Sequence, residues 1–426
     1  MATVLITVPG VAGTILNMLP IAEALAKRGH RVLLHTGQRD YAKVQAPGVE
    51  LIPMSENCNL VSRLKKSSVR VPFWVPKFAH PIWCFRNEIL AIIPDMVAEL
   101  EPIIKREQVD CLVADSVCFS AAYAAERLGI PFVTFTSSWT TALNANALPA
   151  AYPVPLPPRI IHTAIDFIFP LRRVRKQLGL PQRPKNAPAE LLCMVASKLL
   201  NLVTTYREFI PCKQLQENQV FLGPTAFQMP RAAEDQPLAS LEPGTVLVST
   251  TTSANMDNGL FRRLLEAVAQ MGIPVLATSG SATNIPSGLG ENVRLETFVS
   301  YDEVFPYIRA LVTHGGPGTV GRALRYGIPM LIIPNFGDQL PTGVRAAELG
   351  LAYHLPKSKA TSKAIQSKLK ALLQDHALHE RVKALSIKLR SMDSPELAAN
   401  AIEGILQNSQ VARKAIKATD KIASSY

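Results

Sequence analysis

Three things are scarce in this 426-residue chain: aromatic residues at 6%, acidic residues at 33 against 45 lysines and arginines, and long apolar runs. No window reaches the ~18 uninterrupted apolar residues that a membrane-crossing helix needs. The longest candidate, 160–171, is short and carries His162 and Asp166, so at most it could lie on a membrane surface. The six cysteines (58, 84, 111, 118, 193 and 212) all fall in the first half and form neither CxxC pairs nor a disulfide-scaffold spacing. A reducing cytoplasm fits that usage, with Cys111 and Cys118 as small core residues. The first residues lack the basic segment and cleavage site of a signal peptide and read as a strand.

The shortage of acid leaves a formal charge of +12, which admits nucleic acid, an anionic membrane or a phosphorylated ligand. Basic residues cluster at Arg63, Lys65, Lys66 and Arg70, at Arg172, Arg173, Arg175 and Lys176, and at Arg413, Lys414, Lys417 and Lys421. Each cluster alone reads as a solvated helix face. None carries zinc-finger spacing or an aromatic RNA-binding signature, so nucleic acid is disfavoured.

What is abundant is apolar residue: 48% of the chain, against 18% charged, enough to support a packed core. The length implies two domains of roughly 200 residues each. Strand-like runs (4–8, 31–35, 111–115, 132–135) alternate with helix-period stretches (19–28, 119–128) that stop at Gly29 and Gly129, the pattern of an α/β fold with a parallel sheet. Residues 223–243, rich in proline, alanine and charge, read as a linker. The pattern then restarts, with strands at 245–249, 274–278, 293–298, 310–313 and 329–334 and helices at 260–271 and 320–326. The expected organisation is a Rossmann-like domain over 1–222, the linker 223–243, a second Rossmann-like domain over 244–394, and a C-terminal helix and basic tail over 395–426. Two doubly wound halves imply an interdomain cleft at the C-terminal ends of their strands.

After the strand 310–313 comes His314-Gly315-Gly316-Pro317-Gly318-Thr319, then a helix-compatible run. A glycine-rich turn that opens a helix leaves backbone N–H groups unpaired beside the positive helix end, which suits a pyrophosphate. A tight turn with no ligand would explain the glycines but not the whole segment.

Here the chain resembles the family 1 glycosyltransferases, whose signature runs roughly H-x-G-x-x-[ST]-x-x-E-A-L-x-x-G-[VI]-P-x-x-x-x-P-x-x-x-D-Q. His314, Gly316, Thr319, Ala323, Leu324, Gly327, Ile328, Pro329, Pro334, Asp338 and Gln339 stand at the matching positions. The resemblance implies the GT-B architecture, two Rossmann-like doubly wound domains facing a cleft. It also implies a nucleotide diphosphate sugar as co-substrate, UDP- or dTDP-linked, with no cofactor and no metal. By resemblance His314, Gly316, Gly318 and Thr319 hold the diphosphate, Asp338 and Gln339 hydrogen-bond the sugar, Thr251 and Thr252 lie in a hydroxyl-rich donor loop, and Ser300 lies at the base contact.

In the family a G-H-x-x-P segment carries the general-base histidine, and an aspartate after a later strand orients it. Asp115 fits the aspartate, but Gly13-Thr14 stands at the Gly-His position. A threonine hydroxyl cannot accept a proton near neutrality as histidine does. Three readings follow: an acceptor acidic enough to attack without a base; a substitute base, His35 at the end of the second strand or Asp115; or donor binding without efficient turnover. His35 reads equally well as a strand-end histidine bonded locally.

Arg322 is the second departure, standing where the family usually has a glutamate that binds the ribose hydroxyls. A donor-only guanidinium there favours a deoxyribose donor such as a dTDP-sugar. On the acceptor side, residues 60–90 place Trp74, Phe78, Trp83 and Phe85 among basic residues. That density favours a large hydrophobic acceptor such as a natural product, phenolic, sterol or lipid, permits peripheral membrane contact, and reads almost as well as a packed lid.

The reading is therefore inverting transfer of a hexose or deoxyhexose to an acceptor oxygen. A GT-B sugar-nucleotide epimerase and a catalytically silent donor-binding protein are its rivals. Arg322→Glu is expected to shift donor preference from dTDP- towards UDP-sugars, measured as the ratio of initial rates; an unchanged ratio would refute the reading of that position.

Overall fold

Runs such as 4–6, 111–114, 246–248 and 310–312 are apolar at successive positions, so a strand made from them must be covered on both faces. The computed structural model meets that requirement with two all-parallel sheets. It describes residues 1–10, 12–37, 46–66, 69–72, 75, 80–136, 138, 157–184, 187–211, 217–225, 241–249, 257–280, 288–335 and 337–423.

The first sheet holds β1 (Thr3–Thr7), β2 (Arg31–Thr36), β3 (Val49–Pro53), β4 (Cys111–Asp115), β5 (Phe132–Thr136), β6 (Leu200–Val203) and β7 (Gln219–Phe221), in the order β3-β2-β1-β4-β5-β6-β7. The second holds β8 (Val246–Ser249), β9 (Val275–Thr278), β10 (Val293–Glu296), β11 (Ala310–Thr313), β12 (Met330–Ile332) and β13 (Ala352–His354), in the order β10-β9-β8-β11-β12-β13. Both are doubly wound. Winding reverses between β1 and β4 in the first sheet and between β8 and β11 in the second, and the crevice beyond the strand ends at such a reversal is where these sheets bind ligands.

The helices of the first half are α1 (Ala12–Lys27), α2 (Leu60–Lys66), α3 (His80–Arg106), α4 (Ala121–Leu128), α5 (Pro158–Ile168), α6 (Leu171–Gln177) and α7 (Glu190–Met194). Those of the second are α8 (Asn258–Ala269), α9 (Tyr301–Val304), α10 (Pro317–Tyr326), α11 (Gln339–Glu348), α12 (Ser362–Gln374), α13 (His376–Arg390) and α14 (Ser394–Ala423). α10 stops at Gly327, whose φ of 77° is the left-handed conformation that glycine adopts without strain. No helix among the described residues is long and apolar enough to cross a membrane.

Side-chain alternation sorts the first sheet's residues between two faces. Val4, Ile6, Cys111 and Val113 pack with Ile15, Met18 and Leu19 of α1 and with Ala398, Ile402 and Leu406 of α14. Leu5, Leu33, Leu112 and Ala114 pack on the other face with Met96, Leu100 and Ile104 of α3. The last helix thus returns to cover the first sheet, fastened where Glu403 pairs with Arg28 at 2.7 Å and His30 at 3.0 Å. Segment 203–210 crosses the other way, with Val203, Tyr206, Phe209 and Ile210 in the second sheet's core.

Several expectations shift. α1 begins at residue 12 rather than 19, because Pro20, which reads like a first-turn proline, sits inside the helix. The long α3 goes unannounced, since its interior Pro94 and Pro102 read as breaks. Most of the expected linker lies outside the described residues.

The basic cluster at 172–176 is not a uniformly solvated face. Arg175 is buried, within 3.3 Å of the fully buried Glu190. Glu190 also meets Arg183 at 3.0 Å and accepts from the Tyr123 hydroxyl at 3.1 Å. Arg172 pairs with Asp166 at 2.9 Å. Removing one member of such a network strands charge in the interior. Glu190→Ala is therefore expected to cost about 3 kcal/mol or more in urea unfolding, whereas Lys66→Ala, at the exposed pair with Glu56, is expected to leave the midpoint unchanged.

Candidate active site

The reversal points bring together residues from both sheets. On the first, β4 ends at Asp115 beside β1, and α1 begins just beyond the end of β1, with Thr14 in its first turn. On the second, β8 ends at Ser249 and β11 leads through Thr313 into His314.

Two close approaches shape the turn into α10. Gly315 has a φ of +86°, and a methyl placed on it would lie 2.5 Å from Ile332 Cγ2, so only glycine lets the turn lie flat on β12. A methyl on Gly316 would lie 2.7 Å from His314 Nε2; the imidazole is folded over the first backbone atoms of the helix. Gly316 is the N-cap residue and supplies no side-chain acceptor. The first N–H groups of α10 have no intrahelical partner, as at every helix start, and the helix dipole adds to their attraction for an anion. Burial depresses His314 to a pKa of about 4, so near neutrality its ring is uncharged and still has one N–H to donate.

Asp338 opens α11 with its carboxyl raised by burial, an effect partly offset by a hydrogen bond from Ser138 of the first half. Gln339 is buried, and its Oε1 accepts from Asn335 N at 2.9 Å. Ser300 is the N-cap of α9 without a side-chain cap bond. The adjacent Tyr301 stacks on Phe305 at 4.6 Å and lies 2.7 Å from Ser249 Oγ. Arg322 is half-buried on α10, close enough to Tyr326 to act electrostatically on its hydroxyl, which donates to Asp302 at 2.9 Å. Gly318 and Thr319 occupy the first turn of α10.

Asp115 is 1% exposed. Its Oδ1 accepts from Val117 N at 2.8 Å, while its buried Oδ2 has no hydrogen-bond partner among the described residues. Burial raises the carboxyl to about 7 despite the Val117 bond. Asp115 continues the alternation of Cys111 and Val113, which face α1, so it lies on the same side of the sheet as Thr14.

His35 does not. It continues the side of Leu33, under α3, with no exposed surface. Its Nδ1 is 2.9 Å from the Thr7 hydroxyl and its Nε2 is 2.8 Å from Glu99 Oε1. Burial would raise Glu99, but bonds from His35 and Ser55 hold it at about 2. Both ring nitrogens are engaged and the sheet lies between His35 and α1, so in this arrangement the side chain ties β1 and β2 to α3.

Of the aromatic run, Trp74 and Phe78 lie outside the described residues, as do Thr251 and Thr252 of the donor loop. Trp83 lies under the Arg86 guanidinium at 5.2 Å, and Phe85, 40% exposed, meets Phe169 edge-on at 6.3 Å. Both sit on the overhang of α3. At 1.5 Å per residue, Trp83 is about 24 Å along the axis from Glu99. A separate cavity of about 630 Å³, lined by Arg309, Lys363 and Lys370 among others, opens by the N-terminal end of β11 and is remote from the reversal points.

Sequence reasoning passed over Asn17 and Ser138. A methyl on Gly318 would lie 3.3 Å from Asn17 Nδ2, so α1 of the first half touches the start of α10 in the second. The detectable signal was that Asn17 occupies the proline position of G-H-x-x-P.

Two doubly wound sheets whose reversal points face one another across domain-to-domain contacts define the GT-B class. Residues 262–405 match the family model described as the erythromycin biosynthesis protein CIII-like C-terminal domain. The chain is 26% identical over 421 residues to 4'-demethylrebeccamycin synthase from Lentzea aerocolonigenes, covering 94% of this chain and 98% of the relative. Among solved structures, the glycotransferase of kitacinnamycin superposes with a TM-score of 0.74 at 20% identity, over 95% of this chain and 99% of that one. Glycosyltransferase VinC in complex with DTDP gives 0.65 at 20% identity, over 95% and 100%. The match to the C-terminal family model, the resemblance to 4'-demethylrebeccamycin synthase and the shared fold support a family 1 GT-B glycosyltransferase.

Gly316→Ala is expected to push the imidazole towards solvent. In an NMR titration His314 should titrate near pH 4 in the parent and closer to its ordinary 6.5 in the variant. A depressed value means that the unfolded chain binds the extra proton more readily. The parent should therefore lose stability as pH falls from about 6.5 to 4, and the variant should lose less. Identical titrations would contradict the packing of ring against turn.

Proposed function

We propose that the chain transfers a hexose or deoxyhexose from a nucleotide diphosphate sugar to an oxygen of a hydrophobic small molecule, with inversion at the anomeric carbon. The observation that carries this reading is the uncapped start of α10, under a neutral His314, facing the corner of the other half where α1 begins beside Asp115. Backbone N–H groups, the Thr319 hydroxyl and the His314 ring together offer a leaving diphosphate several donors without adding a full charge. Asp338 and Gln339 supply acceptors and donors suited to sugar hydroxyls. Attack from the Asp115 side, opposite the diphosphate, is the geometry of inversion.

A dTDP-linked donor is favoured over a UDP-linked one by Arg322 in place of the usual glutamate. The DTDP held by the similar VinC structure agrees with that preference. For the acceptor, Trp83 and the partly exposed Phe85 near the start of α3 favour an apolar molecule.

With His35 on the other face of the sheet, Asp115 is the group favoured to take the acceptor proton. Its unpartnered Oδ2 faces the α1 side, and burial brings its pKa to about 7, near the value that suits a general base in neutral solution. Thr14 keeps a hydroxyl where the family keeps an imidazole. A hydroxyl can pass a proton on to Asp115 although it cannot hold one.

The sign of the pH dependence follows. The base works ionised, so kcat/KM should rise with pH through about 7 and then level off. Asp115→Asn should lower the rate by about 10² to 10⁴ and flatten the profile, and Thr14→Ser should retain more activity than Thr14→Val. Phenolic acceptors that ionise by themselves should be least affected. A rise through pH 7 that persists in Asp115→Asn would remove Asp115 as the base, and retained anomeric configuration in the product, read by NMR, would remove inversion.

A further inference from the structure

Asn17 is 8% exposed, yet its side-chain amide makes no hydrogen bond with any described residue. That is unusual, because a buried carboxamide is unfavourable unless its donors and acceptors are met. Neighbouring residues of α1 explain themselves: Ile15, Met18 and Leu19 face the sheet. Asn17 instead turns its Nδ2 towards Gly318, in the first turn of α10, where backbone N–H groups also lack intrahelical partners. Two sets of unmet polar groups, one from each half of the chain, therefore meet at one spot.

We infer that Asn17 belongs to the donor site, and that its Nδ2 donates to an oxygen of the donor's diphosphate at the start of α10. The inference rests on the reading above that the diphosphate lies there. It gives the first half a direct hold on a ligand otherwise bound by the second.

The test is calorimetric binding of UDP and dTDP, with uridine, thymidine, UDP-glucose and dTDP-glucose measured in parallel, to the parent, Asn17→Ala and Asn17→Asp. Asn17→Asp keeps the size of the side chain and so guards against a folding defect, checked by thermal unfolding. Loss of a hydrogen bond to a charged group predicts roughly tenfold or greater weakening of diphosphate binding in Asn17→Ala. A larger loss is expected in Asn17→Asp, where carboxylate faces phosphate, with nucleoside binding unchanged. Parent-like diphosphate binding in both variants would overturn the inference and leave the donor-site reading intact. Weakened binding of the nucleotide sugar with unchanged binding of the bare diphosphate would assign the amide to the sugar and overturn the diphosphate contact. No binding of either diphosphate by the parent would overturn the donor-site reading and the inference with it.

Discussion

The first N–H groups of α10 have no partner inside their helix, and no side chain caps them because the N-cap is Gly316. Much of the surrounding structure keeps them available. Gly315 lays the turn on β12, Gly316 leaves room for the His314 ring, and Gly318 admits the tip of Asn17. A helix start usually meets its donors with a serine, threonine or aspartate at the N-cap. Here the donors remain at the reversal point of the second sheet, where α1 of the first half comes closest.

Three titratable groups at that meeting place share one property: burial moves each towards its neutral form. His314 is held near 4, Asp115 near 7, and Asp338 is raised. A site of low intrinsic charge in a chain with a net charge of +12 suits chemistry in which the charge arrives with the ligand. The basic excess lies elsewhere, and much of it is already spoken for, as Arg175, Arg183 and Arg63 are within described ion pairs.

Strands were legible because a doubly covered parallel sheet demands unbroken apolar runs, and the glycines that end helices marked their boundaries. The α10 turn was legible because its spacing is long and specific. The rest was hidden for identifiable reasons. Prolines inside α1 and α3 imitated helix boundaries. His35 sits in a run, 32–36, whose positions are all buried, so nothing in the pattern said which face of the sheet it would join, and it joined the one away from α1. Asp115 was legible as a strand-end acid, but its unpartnered oxygen exists only in three dimensions. Asn17 was invisible because its meaning depends on Gly318, some 300 residues away in the chain.

The central claim is that a donor diphosphate lies against the start of α10, between the two halves. A crystal structure with bound dTDP or UDP tests it most directly. The account predicts phosphate oxygens within hydrogen-bonding distance (about 2.7–3.2 Å) of the Gly318 and Thr319 backbone N–H groups, with His314 beside them. A diphosphate bound elsewhere, for instance in the basic cavity beside Arg309 and Lys370, would contradict it.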